Sequence, residues 1–442
     1  FSFGAVTIGN SGTPDSVTTG IRLNGNSGSF TLTGSSFISN PTASGVAITS
    51  SAGSFTADFQ AQIEVRQSPA ASASAGDGFV LPSNGAATIN FANLVYNDDP
   101  RSGAPTTGQA LVVDDGGILT VSDGTIRTSN ALGDDVYAVD ISNTTLGAGG
   151  LTISTLVIDH DDTGESGGGL RLVDNSGTFN FTNVTRINTV NGSAILADST
   201  GTLNVGTVST GGITSNNRAV FDITSTTVNL NAALTRSQNS TGFGMAFYNV
   251  GGTVNLTGNM TITNSSNTGL SVANSVAGAV FTFSGATQTI NTGGLTAVGL
   301  SGNTGSTIAF TNGGLDIDTT SGPGFVATGG GTVSVTGTGN SVTTTTGRAV
   351  QIDGTTLGAA GVTFQSVSTN GATNAINLRN TGSTGFFSIT GSGSTDGSGG
   401  LIQNITGADM LDETPTASGV GTAIYLENVT DVRIANLQVQ NT

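Results

Sequence analysis

One four-residue pattern recurs along the chain: a small residue, an apolar one, a variable one, and a second apolar one. It stands as Gly20-Ile21-Arg22-Leu23, Gly45-Val46-Ala47-Ile48, Ala138-Val139-Asp140-Ile141, Gly169-Leu170-Arg171-Leu172 and Gly269-Leu270-Ser271-Val272. It is still legible at Ala349-Val350-Gln351-Ile352, Ala375-Ile376-Asn377-Leu378 and Ala423-Ile424-Tyr425-Leu426. Such alternation predicts a short strand with every second side chain turned inward. Its return at intervals in the twenties and thirties predicts a solenoid. The first inward residues fall at 21, 46, 79, 111, 139, 170, 195, 220, 245, 270, 298, 325, 350, 376 and 424, which makes fifteen coils. Between 195 and 270 the step is a strict 25 residues.

Within a coil the pattern predicts three strands. In the first, Ile21-Arg22-Leu23 leads to Phe30-Thr31-Leu32 and then to Phe37-Ile38-Ser39. The last runs Ile424-Tyr425-Leu426, Val432-Arg433-Ile434, Leu437-Gln438-Val439. Gly and Asn fill the corners between them, as tight bends at positive φ require. The fold expected is therefore all-β: one single-stranded parallel β-helix over residues 1–442, with three strands per coil and three stacked sheets. At ~4.8 Å per coil it would form a rod roughly 70 Å long. The 48 residues between Ile376 and Ile424 interrupt the rhythm. Residues 391–421, with Gly391-Ser392-Gly393-Ser394 and Asp409-Met410-Leu411-Asp412-Glu413, are expected to be an insertion or an irregular coil.

Composition narrows the possibilities further. The 68 glycines would suggest disorder if unpatterned, but hydrophobic residues at 35% recur in register. All 11 basic residues are Arg against 28 acidic ones, a formal net charge of −17. That balance argues against binding nucleic acid or anionic lipid through basic patches. Cys is absent, which removes disulfides and thiolate metal sites. No apolar run approaches the ~20 residues that cross a membrane as a helix. The chain opens Phe1-Ser2-Phe3 without Met, which is expected of a segment of a longer chain or polymer.

Acidic pairs recur where third strands end: Asp98-Asp99, Asp134-Asp135, and Asp159 with Asp161-Asp162 around the sole histidine, His160. Stacked on successive coils they would form a carboxylate column, and hard oxygen ligands suit Ca²⁺. Ca²⁺ is the one cofactor the sequence suggests, and splaying of the acids into water by loops of unequal length is the alternative. For catalysis, glycoside cleavage needs two carboxylates at a set separation, and elimination needs a base with an assisting cation. Lys and Trp are absent and Tyr numbers four. The outward residues of successive first strands read Arg22, Ala47, Val80, Val112, Asp140, Arg171, Leu196 and Phe221. Asp140 and Arg171 are expected to form a surface ion pair, and Leu196 with Phe221 a small contact patch. No enzyme is expected. Asn-x-Ser/Thr triplets such as Asn143-Thr144-Thr145 are as frequent as the composition makes them by chance.

The corner Ile376-Asn377-Leu378-Arg379-Asn380, echoed by Ile424-Tyr425-Leu426-Glu427-Asn428, resembles the coil of right-handed parallel β-helices. The Lys-free, Cys-free, Thr/Gly/Asn-rich texture is similar to bacterial surface adhesins and autotransporter passengers. The resemblance implies a right-handed helix, export to the cell surface, and a role as an extracellular fibre or adhesin stalk. Its partners would be a host or matrix glycan or protein, or further copies of itself. No capping helix is visible at either end, so end-to-end stacking into a filament or sheath is the second expectation.

Overall fold

The computed structural model describes residues 1–8, 17–49, 54–67, 76–98, 107–129, 131–160, 165–407 and 421–441. The chain is a parallel β-solenoid, with no helix among the described residues. It divides into two compact units, Phe1–Asn216 with Val220–Ala232, and Asn217–Ala219 with Ala233–Thr442.

In the first unit, eight first strands pair in parallel one after another: Val17–Asn24, Pro41–Thr49, Asp77–Pro82, Leu111–Asp114, Tyr137–Ser142, Gly168–Val173, Ile195–Asp198 and Phe221–Thr224. In the second, seven do so: Met245–Tyr248, Leu270–Ala273, Val298–Ser301, Phe325–Thr328, Val350–Asp353, Asn374–Arg379 and Thr422–Glu427. Full turns number about 13, fewer than the fifteen coils expected, since the opening and closing first strands each pair on one side only. Ile21, Val46, Phe79, Leu111, Val139, Leu170 and Ile195 lie in register and point inward, as the periodicity requires.

Two expectations need correction. The next inward residue is Phe221, not Val220, because Ile195 pairs with Phe221 and Leu196 with Asp222. The strict step fails because the preceding strand, Thr202–Asn216, carries a bulge: Val184 pairs with Val208, yet Arg186 pairs with Gly212. Phe221 is fully buried, Asp222 faces out, and the Leu196–Phe221 patch does not exist. The second correction concerns the sheets, which among the described residues number two rather than three. Second and third strands share one sheet because several coils run through that corner without a break, as in Thr56–Gln67, Thr88–Asp98 and Thr178–Val190. A register shift between Phe59 and Gln62 bends such a strand where a turn was expected.

The core is a column of apolar side chains filled at intervals by stacked rings. In the first unit Phe59 and Phe91 stack at 4.6 Å between centroids, with Phe79 edge-on to Phe91 at 5.6 Å. In the second, Phe283 and Phe310 stack at 4.8 Å, and Phe325 meets Phe310 edge-on at 6.0 Å. Parallel in-register stacking places like beside like, so Phe59 finds Phe91 and Phe283 finds Phe310 one coil away.

Near-identical bulges interrupt one second strand in each unit. Leu119 pairs with Leu146 but Val121 with Leu151, and Val333 pairs with Leu357 but Val335 with Val362. The sequences are Thr144-Thr145-Leu146-Gly147-Ala148-Gly149-Gly150 and Thr355-Thr356-Leu357-Gly358-Ala359-Ala360-Gly361. Each bulge closes on a glycine at positive φ, 67° at Gly150 and 76° at Gly361. A Cβ at Gly150 would lie 2.5 Å from the Thr178 carbonyl oxygen, and one at Gly361 2.6 Å from the Phe386 ring, so no larger residue fits.

In the expected insertion, Leu401–Gln403 is a third strand, paired through Ile402 with Thr369 and with Val439. Asp409, Asp412 and Glu413 lie outside the described residues.

Candidate functional site

The corner that ends each first strand is the most regular chemical feature of the first unit. Its residue sits in the left-handed region at Ser83, Asp115, Asn143, Asp174, Ser199 and Ser225, with φ between 49° and 53° at all six. Short polar side chains tolerate that conformation because they bond locally to the backbone. The following residue turns inward and meets the main chain of a neighbouring coil. Asn175 donates Nδ2 to the Ile141 carbonyl at 2.8 Å and accepts the Thr144 N–H at 3.0 Å. Thr200 donates Oγ1 to the Leu172 carbonyl at 2.9 Å, and its own N–H reaches Thr226 Oγ1 at 3.3 Å. These buried amides and hydroxyls occupy backbone groups that the turn would otherwise strand.

Outside this inner ladder lies an open groove of about 460 Å³, lined by Asn143, Thr144, Thr145, Asp174, Asn175, Ser176 and Ser199. Carboxylates flank it along the corner: Asp114 and Asp115, Asp174, Asp198 and, one row in, Asp222. Asp114 accepts hydrogen bonds from Ser142 Oγ at 3.1 Å and Asn143 Nδ2 at 2.9 Å. Partial burial and the nearby Asp198 carboxylate push the Asp222 carboxyl above its ordinary value. This series went unread in the sequence; its signal was there, since Asp114 and Asp198 each stand directly after an inward-facing residue of a first strand, Val113 and Ala197, and Asp115 and Asp174 one place further on. The expected pair beside it is present: Asp140 opposes Arg171, with Oδ1 and Nη1 2.7 Å apart.

The acids expected to bind Ca²⁺ lie at different places. Asp98 ends the Thr88–Asp98 strand in register with Gln67 and is buried inside the third corner. Asp159 faces outward opposite Asn188, from which it accepts Nδ2 at 3.0 Å, and it forms an ion pair with Arg186. Asp134 and Asp135 are exposed and sit against Asn191 instead: Asn191 Nδ2 donates to Asp134 at 2.8 Å, and the Asp135 N–H donates to the Asn191 carbonyl at 2.9 Å. Asp99, Asp161 and Asp162 lie outside the described residues. Unequal loop lengths separate the four described acids. Among the described residues no three His, Asp or Glu side chains are grouped to hold a metal ion. His160 is fully buried, its backbone N–H donating to the Asn188 carbonyl at 2.9 Å.

Second strands carry an outward ladder of amides. Asn229 donates to Asn204 at 2.8 Å, Asn204 to Asn180 at 2.7 Å, and Asn180 to Thr152 at 3.4 Å. In the second unit amides bond from coil to coil at strand ends instead: Asn264 to Asn239 (3.0 Å), Asn404 to Asn370 (2.7 Å) and Asn428 to Asn380 (2.9 Å). Comparison of the chain with models of protein families, with curated proteins and with solved structures finds no match to any of them.

Proposed function

We propose that this chain is an extracellular structural or adhesive solenoid, part of a bacterial surface fibre or adhesin stalk. The observation that carries the reading is the outward amide ladder, in which surface side chains bond from coil to coil. Surface groups spent on tying adjacent coils together suit a load-bearing, protease-exposed scaffold. The absence of Cys and Lys, and a net charge of −17, fit a durable, soluble exterior. The reading assigns no reaction to the chain: on the outward row of the first strands Asp140 is already held by Arg171. Its partner is a matrix or host glycan or protein.

The test is adhesion of the purified chain, with electron microscopy of the native material. Saturable binding of the chain to matrix or host-cell surfaces, with separate particles in the images, is the expected result. Filaments in which the chain repeats along an axis would replace adhesion with self-assembly. Release of reducing ends or unsaturated products from acidic polysaccharides would overturn the non-catalytic reading.

A further inference from the structure

Arg348 differs from two other arginines of the second unit, Arg379 and Arg433. Arg379 bridges Asp353 and Glu427 at 3.5 and 2.8 Å, and Arg433 pairs with Asp431 at 2.5 Å. Arg348, half-buried just before the Val350–Asp353 strand, is held by neutral groups instead. Its Nε donates to Asn374 Oδ1 and its Nη1 to Gln351 Oε1, and among the described residues no carboxylate pairs with it. In a chain with 28 acidic residues and 11 arginines, that is no shortage of acids. A guanidinium withdrawn from water without a counter-ion costs stability, and burial lowers its proton affinity. The two amides fix the plane of the fork, and among the described residues Nη2 has no hydrogen-bond partner.

The surroundings define what could complete the site. Gln351 faces outward opposite Val326 and Asn377, and Asn377 in turn opposes Tyr425. Tyr425 is half-exposed, its hydroxyl donating to Glu427 at 3.1 Å. From Gln351 to Tyr425 is two coils, about 10 Å, long enough for more than one sugar ring. A planar fork recognises a carboxylate through paired N–H donors, amides suit ring hydroxyls, and an aromatic face suits a ring's C–H side.

We infer that the outward face around Arg348, Gln351 and Tyr425 binds an acidic oligosaccharide, with Arg348 taking the sugar carboxylate. This names the ligand class of the adhesive reading and rests on it for biological use, though binding is measurable on the purified chain alone. The experiment is calorimetric titration with an oligogalacturonate and with its carboxyl-reduced, neutral counterpart. At 0.15 M salt, charge effects are confined to within about 8 Å. The intact chain should bind the acid at least tenfold more tightly than the neutral sugar. R348Q should lose at least tenfold with an unfolding midpoint no lower than the parent's, because an unpaired charge has been removed. Q351L should lose severalfold, and serves if R348Q fails to fold. Equal affinity for the neutral sugar, or unchanged affinity in either folded variant, overturns the inference. So does competition by acetate or phosphate as strong as that of the sugar, which would mark a site for small anions. Adhesion that survives R348Q leaves the surface role standing while this site falls.

Discussion

The corner after the first strand has one backbone geometry and two chemistries. In the first unit Gly25, Ser83, Asp115, Asn143, Asp174, Ser199 and Ser225 occupy it; in the second, Asn249, Asn274, Gly302, Gly329, Gly354, Asn380 and Asn428 do, all at positive φ. Folding demands only that the residue tolerate the left-handed region, which Gly and Asn do at least cost. Asp at this corner therefore adds charge that the turn does not need. Nineteen of the 28 acidic residues lie in the first unit, and several line this edge. The comparison separates what the coil requires from what is spare: the spare groups are carboxylates in the first unit and, in the second, Arg348, which is held by amides alone.

Truncating the ring stacks tests whether the two columns are equivalent. Phe91→Ala and Phe310→Ala should each lower unfolding free energy by about 3–5 kcal/mol, since both rings are buried and stacked. Urea denaturation followed by circular dichroism measures this, and a loss below 1 kcal/mol (about one methylene's worth) at either would break the equivalence. Next in size is the corner itself. Asn274→Ala should cost about 1–2 kcal/mol by forcing a Cβ-bearing residue without local hydrogen bonding to φ 51°. Ser199→Gly at φ 49° should cost nothing or stabilise slightly. If both changes act alike on the melting temperature, the corner is not set by backbone conformation.

The Asp140–Arg171 pair should contribute less than ~1 kcal/mol in a double-mutant cycle, both side chains being partly exposed. A coupling of several kcal/mol would mean that first-unit charge is structural after all. The smallest effect belongs to Asp222 and is read as a slope. Its folded-state pKa lies above the ordinary 3.8, so folding binds this proton more tightly than the unfolded chain does. The contribution is complete below the unfolded value and is lost as pH rises through the folded one. Asp222→Asn should flatten stability above pH 3.8 and raise the neutral-pH melting temperature slightly. An unchanged profile would place Asp222 fully in water.

Most of the solenoid was legible because inward positions repeat with period two inside a strand and return once per coil. The Asp140–Arg171 pair followed from that register alone. What stayed hidden depends on backbone irregularity, which hydrophobic pattern does not encode. The bulge in Thr202–Asn216 moved the inward position from Val220 to Phe221, and the unbroken bends of Thr56–Gln67 and Thr88–Asp98 merged two sheets into one. The described acids of the third corner separate for a related reason: their spacing in sequence is similar, but Asp98 ends a strand facing in, Asp159 ends one facing out, and Asp134 and Asp135 lie in a turn. Arg348 was invisible because its setting, a half-buried guanidinium held by the amides of Gln351 and Asn374, is a property of the assembled surface.

The paired bulges at Gly147–Gly150 and Gly358–Gly361 bear on how such a chain changes length. Three extra residues in a plain strand would turn every later side chain to the wrong face. Here the ladder resumes at Leu151 and Val362 with its apolar side chains still inward, so the bulge absorbs an odd count. Each is a splice point where evolution, or an engineer inserting an epitope, can add chain without renumbering the core downstream.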